Sequence, residues 1–314
     1  MDTEKEEDRR MKMQDASRYE ILYDLPEGEY SATEVGAIRT KTYRAGDTLE
    51  VQCSPIIYMP DGARREYKRR KSGQAQQILN RINSERRFRR LMEANFGSGD
   101  WVMHPTYDYG FIDRGFSNVR DTIRALEDAG YPVDDEEAGR IIRNFIRRVK
   151  KRIKQKGGDV QKFKYMYVVE ATRLPREDDP DPLPPRYHYH MIMSGMDGLL
   201  TIGDINELWQ YGFSKAQPVD TRFNGLEGLS NYFIKQRRGK RKWASSKNLK
   251  KPEEKVSDRK VSRRRAAQIA TDVQHNGREI LEKLYSGYSC ERVEVKYSDF
   301  VAGAYIYARL RKRN

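Results

Sequence analysis

The 314-residue chain has only two cysteines, Cys53 and Cys290, and four histidines. Two cysteines so far apart form neither a disulfide framework nor a zinc-finger spacing, and a reducing cytoplasm is the expected compartment. No run of about 18 apolar residues occurs, so a transmembrane helix is not expected. The charged start, MDTEKEEDRR, lacks the apolar stretch of a secretory signal. No G-x-x-x-x-G-K-S/T phosphate loop is present, so any ATP-driven step belongs to another protein. Acidic residues are outnumbered: 47 Asp and Glu face 61 Lys and Arg, for a formal charge of +14. That surplus favours a polyanionic partner. A membrane-surface protein would show a basic helix with a clean apolar face, and none stands out. A structural RNA binder stays open. Hydrophobic residues make up 37% and charged residues 34%, enough for a core but with part of the chain extended.

Periodicity divides the sequence. Residues 1–35 read as a flexible charged arm. Residues 39–58 hold β-prone pieces around Gly46-Asp47, and 59–72 form a basic loop. Over 73–95, Ile78, Leu79, Ile82, Phe88, Leu91 and Met92 recur at near-helical spacing among arginines, which predicts a basic helix ended by Gly97. Residues 36–98 therefore read as an N-terminal extension. Residues 100–106 read as a buried strand. Residues 135–154 predict a helix, acidic at its start and basic at its end, with Ile141, Ile142, Phe145, Ile146 and Val149 on one face. Strands follow at 163–171 and 187–194, joined by a proline- and acid-rich loop, and should pair antiparallel. A short helix at 203–210 with Asp204 as a plausible cap, a strand at 212–219 and a helix at 226–237 complete the pattern. The order β-α-β-β-α-β, then a helix, predicts an α+β fold: an antiparallel sheet with helices on one face, as in ferredoxin-like folds. It fills a domain over 99–252. Residues 253–314 predict an appendage, with a long helix over 261–285 and a β pair at 291–297 and 301–309. Its basic helix (Lys260, Arg263, Arg264, Arg265) suits duplex DNA or another copy of the chain, and a structural cover for the sheet is the plainer reading.

His188 and His190 stand at i and i+2 within a β-prone run, so both imidazoles leave one face of a strand. Two imidazoles on one face can share a metal; two exposed histidines arising by chance give the same pattern. Glu170, at the end of the preceding strand, can reach that face if the strands pair. It is otherwise an ordinary charged strand end, and the acidic loop with Glu177, Asp178, Asp179 and Asp181 is a rival source of carboxylate. The donor set suits zinc too, but zinc proteases carry HExxH on a helix, and none occurs. A strand-borne pair with a carboxylate can hold Mg2+ or Mn2+ and leave room for a phosphate oxygen. Tyr232 and Lys235, at i and i+3 of a helix, share a side. A phenol is a weak nucleophile unless a cation or a polarised phosphate assists it. The chain has 20 tyrosines, so Y-x-x-K alone is weak. Arg237, Arg238, Lys240, Arg241 and Lys242 would line the mouth of such a site, and Trp243 offers a face for base stacking. A solvated charge run is the alternative.

Taken in order, Val102-Met103-His104-Pro105-Thr106-Tyr107, His188-Tyr189-His190 and Tyr232-Phe233-Ile234-Lys235 resemble the three motifs of rolling-circle replication initiators in the HUH endonuclease superfamily. ANFGSGDW, KYMYVVEA, RYHYHMIMSG and GKRKWASSKNLKKP look like replication-associated proteins of mobile elements and phages of Gram-positive bacteria. The resemblance spans roughly 75–310. It implies His188 and His190 as metal ligands, Glu170 as the third, Tyr232 as nucleophile and Lys235 as the group that orients the phosphate. The first motif normally reads closer to Leu-Thr-Leu-Thr-Tyr. Here His104 and Pro105 interrupt it, suggesting an edge or bulge and raising His104 as a fourth metal neighbour. Residues 228 and 229 are Gly and Leu, so a single-tyrosine enzyme is implied.

The expectation is a nickase that cuts single-stranded DNA at an origin, leaving a 5′-phosphotyrosine and a 3′-OH for a host polymerase, with a host helicase supplying unwinding. A conjugative relaxase or transposase-like nickase is the nearest rival, although relaxases often place the tyrosine before the histidines. A basic binder without catalysis and a zinc hydrolase are the rivals from other classes.

Overall fold

The computed structural model describes residues 35–57, 73–108, 119–172, 185–221, 225–235, 243–297 and 303–313, with backbone only at 35–36, 57, 73–79, 119 and 235. The fold is α+β, with two antiparallel five-stranded sheets. The elements are β1 (Val35–Ala45), β2 (Thr48–Ile57), α1 (Gly73–Asn95), β3 (Trp101–Pro105), α2 (Val119–Asp128), α3 (Asp135–Gln155), β4 (Tyr165–Thr172), β5 (Arg186–Met193), α4 (Ile202–Leu208), β6 (Ser214–Pro218), α5 (Glu227–Lys235), β7 (Ala244–Ser245), β8 (Glu253–Ser257), α6 (Arg263–Thr271), α7 (Asn276–Leu284), β9 (Tyr288–Tyr297) and β10 (Ala304–Lys312). The chain divides into two compact units, 1–90 with 251–314, and 91–250. Among the described residues no helix is long and apolar enough to cross a membrane.

The first unit draws its sheet, ordered β8-β1-β2-β10-β9, from both ends of the chain. Gly46, at φ 56°, opens the β1–β2 turn, a backbone conformation that glycine adopts without a side-chain clash. Alternation then sorts the faces. Leu49, Val51 and Cys53 join Ile306, Ala308 and Leu310 in a core closed by Ala266, Ile269 and Leu281 of α6 and α7. The opposite face carries Glu50, which accepts from Arg90 Nε and Nη2 at 2.8 and 2.6 Å. The predicted helix over 261–285 is two helices. At the break the Asp272 carboxylate accepts from the His275 N–H at 3.1 Å, and the Asp272 carbonyl accepts from Gly277 N–H at 2.7 Å. Such local bonds compete with the helical ladder.

The second unit holds the sheet β6-β3-β5-β4-β7, all neighbours antiparallel. Counting β3, β4, β5 and β6 as first to fourth, the order is fourth, first, third, second, so each helical crossover skips one strand. α3 follows the predicted 135–154 closely. Asp134 caps it by accepting from Glu137 N–H, acidic residues fill its first turn and basic ones its last. Its stripe Ala138, Ile141, Ile142, Phe145, Ile146, Val149 and Ile153 packs with Met103, Tyr167, Tyr189, Met191 and Met193 of the sheet, and Ile205 and Leu208 of α4 join that layer. α2, over a stretch where the sequence pattern gave no element, buries only Thr122 and Leu126, too little for a periodic signal. At the edge of the unit, a Cβ on Gly195 would stand 1.9 Å from the Gly99 carbonyl. That close approach accounts for a glycine there.

Asp204 is not the cap of its helix. Thr201 is the N-cap and Asp204 the third residue of a reciprocal capping box. Asp204 also accepts from Arg152 Nη1 at 2.6 Å and from Lys156 Nζ. Burial works against its ionisation, but the bonds from Lys156, Thr201 and Arg152 outweigh it and hold the carboxyl well below the usual range. Asp204→Asn should therefore cost about 1–3 kcal/mol near neutral pH. A lowered folded-state pKa stabilises fully above the ordinary carboxylate value of about 4 and less as pH falls below it. The difference in melting temperature between the wild-type and Asp204→Asn chains is accordingly expected to be largest near neutrality and to shrink in acid. A difference that grows on acidification is the contrary result.

Candidate metal and tyrosine site

The site stands on the sheet face opposite α3 in the second unit. On β5, Tyr187, Tyr189 and Met191 point into the helical layer, so His188, His190 and Ile192 point the other way. Tyr189 is locked there: its hydroxyl donates to the Ala138 carbonyl at 2.8 Å and lies 2.6 Å from the Tyr107 hydroxyl. β4 pairs with Glu170 directly opposite His188 and Val168 opposite His190. Glu170 thus rises beside both imidazoles.

Its Oε2 meets His190 Nε2 at 2.6 Å and makes an equally close contact with His188 Nε2. One donor atom from each of Glu170, His188 and His190 lies within 4.8 Å of the others, and Glu170 and His190 are buried. Two imidazole nitrogens converging on a single carboxylate oxygen form a donor set that fits a divalent ion. Burial, partly offset by the bond to Glu170, lowers the pKa of His190, which favours the neutral imidazole that ligation requires.

β3 brings a third histidine. Met103 pairs with Met191, and Thr106 bridges His188. The same register sets His104 beside His190, their Nδ1 atoms 2.9 Å apart. Burial, reinforced by His190, Lys215 and His188, pushes the pKa of His104 down to about 4. His104 does not join the three convergent donors. The period-two pattern of Val102, His104 and Thr106 was the available signal for its face. Lys215, opposite His104 on β6, is exposed and puts a cation at the rim that sequence reasoning did not single out.

α5 supplies the phenol. Leu226, Ser230 and Phe233, at i, i+4 and i+7, are buried and anchor the helix. Tyr232, 45% exposed, stands off that stripe. Its ring meets His190 edge to face, centroids 4.9 Å apart, and His104 at 5.7 Å. Phe233 lies 5.5 Å from the His190 ring. Lys235 is the last residue of α5, and its side chain is not described. Arg237, Arg238, Lys240, Arg241, Lys242 and the acidic residues 177–181 lie outside the described residues. Trp243, half-buried, immediately precedes β7.

Residues 129–237 match the family model of the replication-associated protein ORF2. That span contains Glu170, His188, His190, Tyr232 and Lys235, while β3 with His104 precedes it. No curated protein and no solved structure matches the chain.

If Glu170 contributes the negative charge of a cation site, Glu170→Gln should lose most of the Mn2+ affinity seen in calorimetric titration while its far-UV circular dichroism stays unchanged. A Glu170→Gln chain that binds Mn2+ as tightly as wild type removes the carboxylate from the donor set.

Proposed function

We propose that the chain initiates DNA replication by nicking single-stranded DNA with Tyr232 in a metal-assisted transesterification, on an HUH-type endonuclease core. The observation that carries this reading is the half-exposed Tyr232 ring held edge-on to His190 at 4.9 Å, beside the Glu170, His188 and His190 donors. The family match over 129–237 supports the replication role, and the fourth-first-third-second strand order is the one expected of a ferredoxin-like core.

In this mechanism single-stranded DNA lies over the sheet face that carries the histidines, its phosphates drawn by a basic chain of net charge +14. His188, His190 and Glu170 would hold Mg2+ or Mn2+, which when bound withdraws charge from a phosphate oxygen. Tyr232 attacks the phosphorus. The Tyr232 O–P bond forms, the P–O3′ bond breaks, the phenol proton is given up and the 3′ oxygen leaves as a hydroxyl. The product is a 5′-phosphotyrosine, and the 3′-OH is available to prime a host polymerase. Because one phosphodiester is exchanged for another, a later attack by a 3′-OH reverses the step and joins DNA ends. Anchoring through Phe233 keeps the phenol's helix in place, the positioning on which such a step depends. Lys235, one turn beyond Tyr232, and Lys215 at the rim are the cations placed to meet the phosphate, and Arg237, Arg238, Lys240, Arg241, Lys242 and Trp243 extend the DNA track.

Incubating the full chain with end-labelled single-stranded origin DNA and Mn2+ should give a protein–DNA band that survives denaturant. The Tyr232→Phe chain should give none, and His188→Ala at most about one hundredth of the wild-type rate. Retention of the band by Tyr232→Phe refutes the nucleophile; its retention by His188→Ala refutes the metal assignment.

A further inference from the structure

His104 has no part in the reaction just described, yet it is partly buried and its Nδ1 lies 2.9 Å from Nδ1 of His190. The contact is between two like atoms, so one ring must carry the proton and the other must offer a lone pair. His190 presents its second nitrogen, Nε2, to Glu170 at 2.6 Å. Its two nitrogens are therefore both engaged, and the tautomer of one imidazole fixes that of the other.

Two arrangements satisfy every contact. In one, His190 carries its proton on Nε2 and donates to the Glu170 carboxylate, while His104 donates from Nδ1 to Nδ1 of His190. In the other, Nε2 of His190 is a bare lone pair, its Nδ1–H donates to His104, and the proton of His104 sits on Nε2. Only the second can ligate a cation. A carboxylate or backbone carbonyl, the usual partners of a ligating histidine, can only accept and would serve the second alone. An imidazole serves both.

We infer that His104 is a positioning residue: it holds His190 through the Nδ1–Nδ1 bond and reverses its own donor and acceptor roles so that Nε2 of His190 is freed for a divalent ion. His104 is no fourth ligand on this geometry, since it engages His190 through the nitrogen that faces away from Glu170 and His188. Its ring also meets Tyr232 edge to face at 5.7 Å, so one side chain from β3 touches both the donor set and the phenol. This inference rests on the metal reading of the site, but it concerns a residue outside the matched span 129–237.

Two measurements on the full chain test it. In calorimetric titrations, His104→Leu, which can neither give nor accept, should weaken Mn2+ binding about 10- to 100-fold, whereas His104→Asn, whose amide can do either, should stay within about threefold of wild type. In two-bond proton–nitrogen spectra of the 15N-histidine-labelled chain, adding Zn2+ as a diamagnetic probe should move the His190 proton from Nε2 to Nδ1 and the His104 proton from Nδ1 to Nε2. Equal Mn2+ affinity in the wild-type and His104→Leu chains overturns the assignment, as does an equal loss in the Asn and Leu variants. Unchanged tautomers in a wild-type chain that has bound Zn2+ overturn it too. Those results leave the Tyr232 chemistry standing. A wild-type chain that binds neither ion removes this inference and the metal reading together.

Discussion

Every contact in the site depends on Glu170 standing opposite His188 across β4 and β5. Residues on a strand alternate faces, so a slip of one residue would turn Glu170 into the helical layer and bring Val169 out in its place. What prevents the slip lies on the other face. Tyr187, Tyr189 and Met191 are packed among the apolar side chains of α3, and the Tyr189 hydroxyl is tied to the Ala138 carbonyl. The chemistry-bearing residues contribute little to that choice of register. Their geometry is imposed by the core residues between them, much as the bulky apolar layer of a sheet fixes the orientation of whatever faces away from it.

The face left over is not simply open. Met166, Val168, Ile192 and Val102, on the same side as the histidines, are all buried. The donor set therefore sits at the border of a dry region, where burial keeps His190 and His104 from charging. Neutral imidazoles beside an ionised carboxylate have lone pairs to share and a net negative charge to offer a cation. A fully hydrated cluster would lose both advantages, since protonation would compete for the same nitrogens.

What could be read from the sequence was what local spacing encodes. The i, i+2 pair His188 and His190 declared its shared face, the stripe Ile141 to Val149 declared α3, and Tyr232 stood a turn before Lys235. Glu170 was placed near the histidines because two successive strands with a loop between them tend to pair. Non-local pairing left no such mark. Nothing in residues 101–106 announces that β3 inserts beside β5 and delivers His104 to His190, and nothing in 35–57 announces that β2 pairs with β10. The split of 261–285 into two helices escaped notice for a different reason: it turns on one carboxylate, Asp272, bonding to the backbone at His275, against an otherwise helical composition.

The 20 tyrosines of the chain show why Y-x-x-K alone says little and why position says more. Tyr107 and Tyr189 are buried and bonded to one another, so their hydroxyls hold the fold and face no solvent. Tyr232 is held by its neighbours instead. Phe233 goes into the core, and the adjacent Tyr232, about 100° further round the helix, is carried to the edge of the buried region. One side of its ring rests on His190 and the rest faces water. A group that must meet an incoming polymer needs that combination, since full burial would shut the polymer out and full exposure would leave the ring free to rotate away from the cation site. On the reading proposed here, the alternation of Tyr232 and Phe233 on α5 does for the nucleophile what the alternation of Tyr189 and His190 on β5 does for the metal: the apolar partner fixes the direction, and the polar one performs the chemistry.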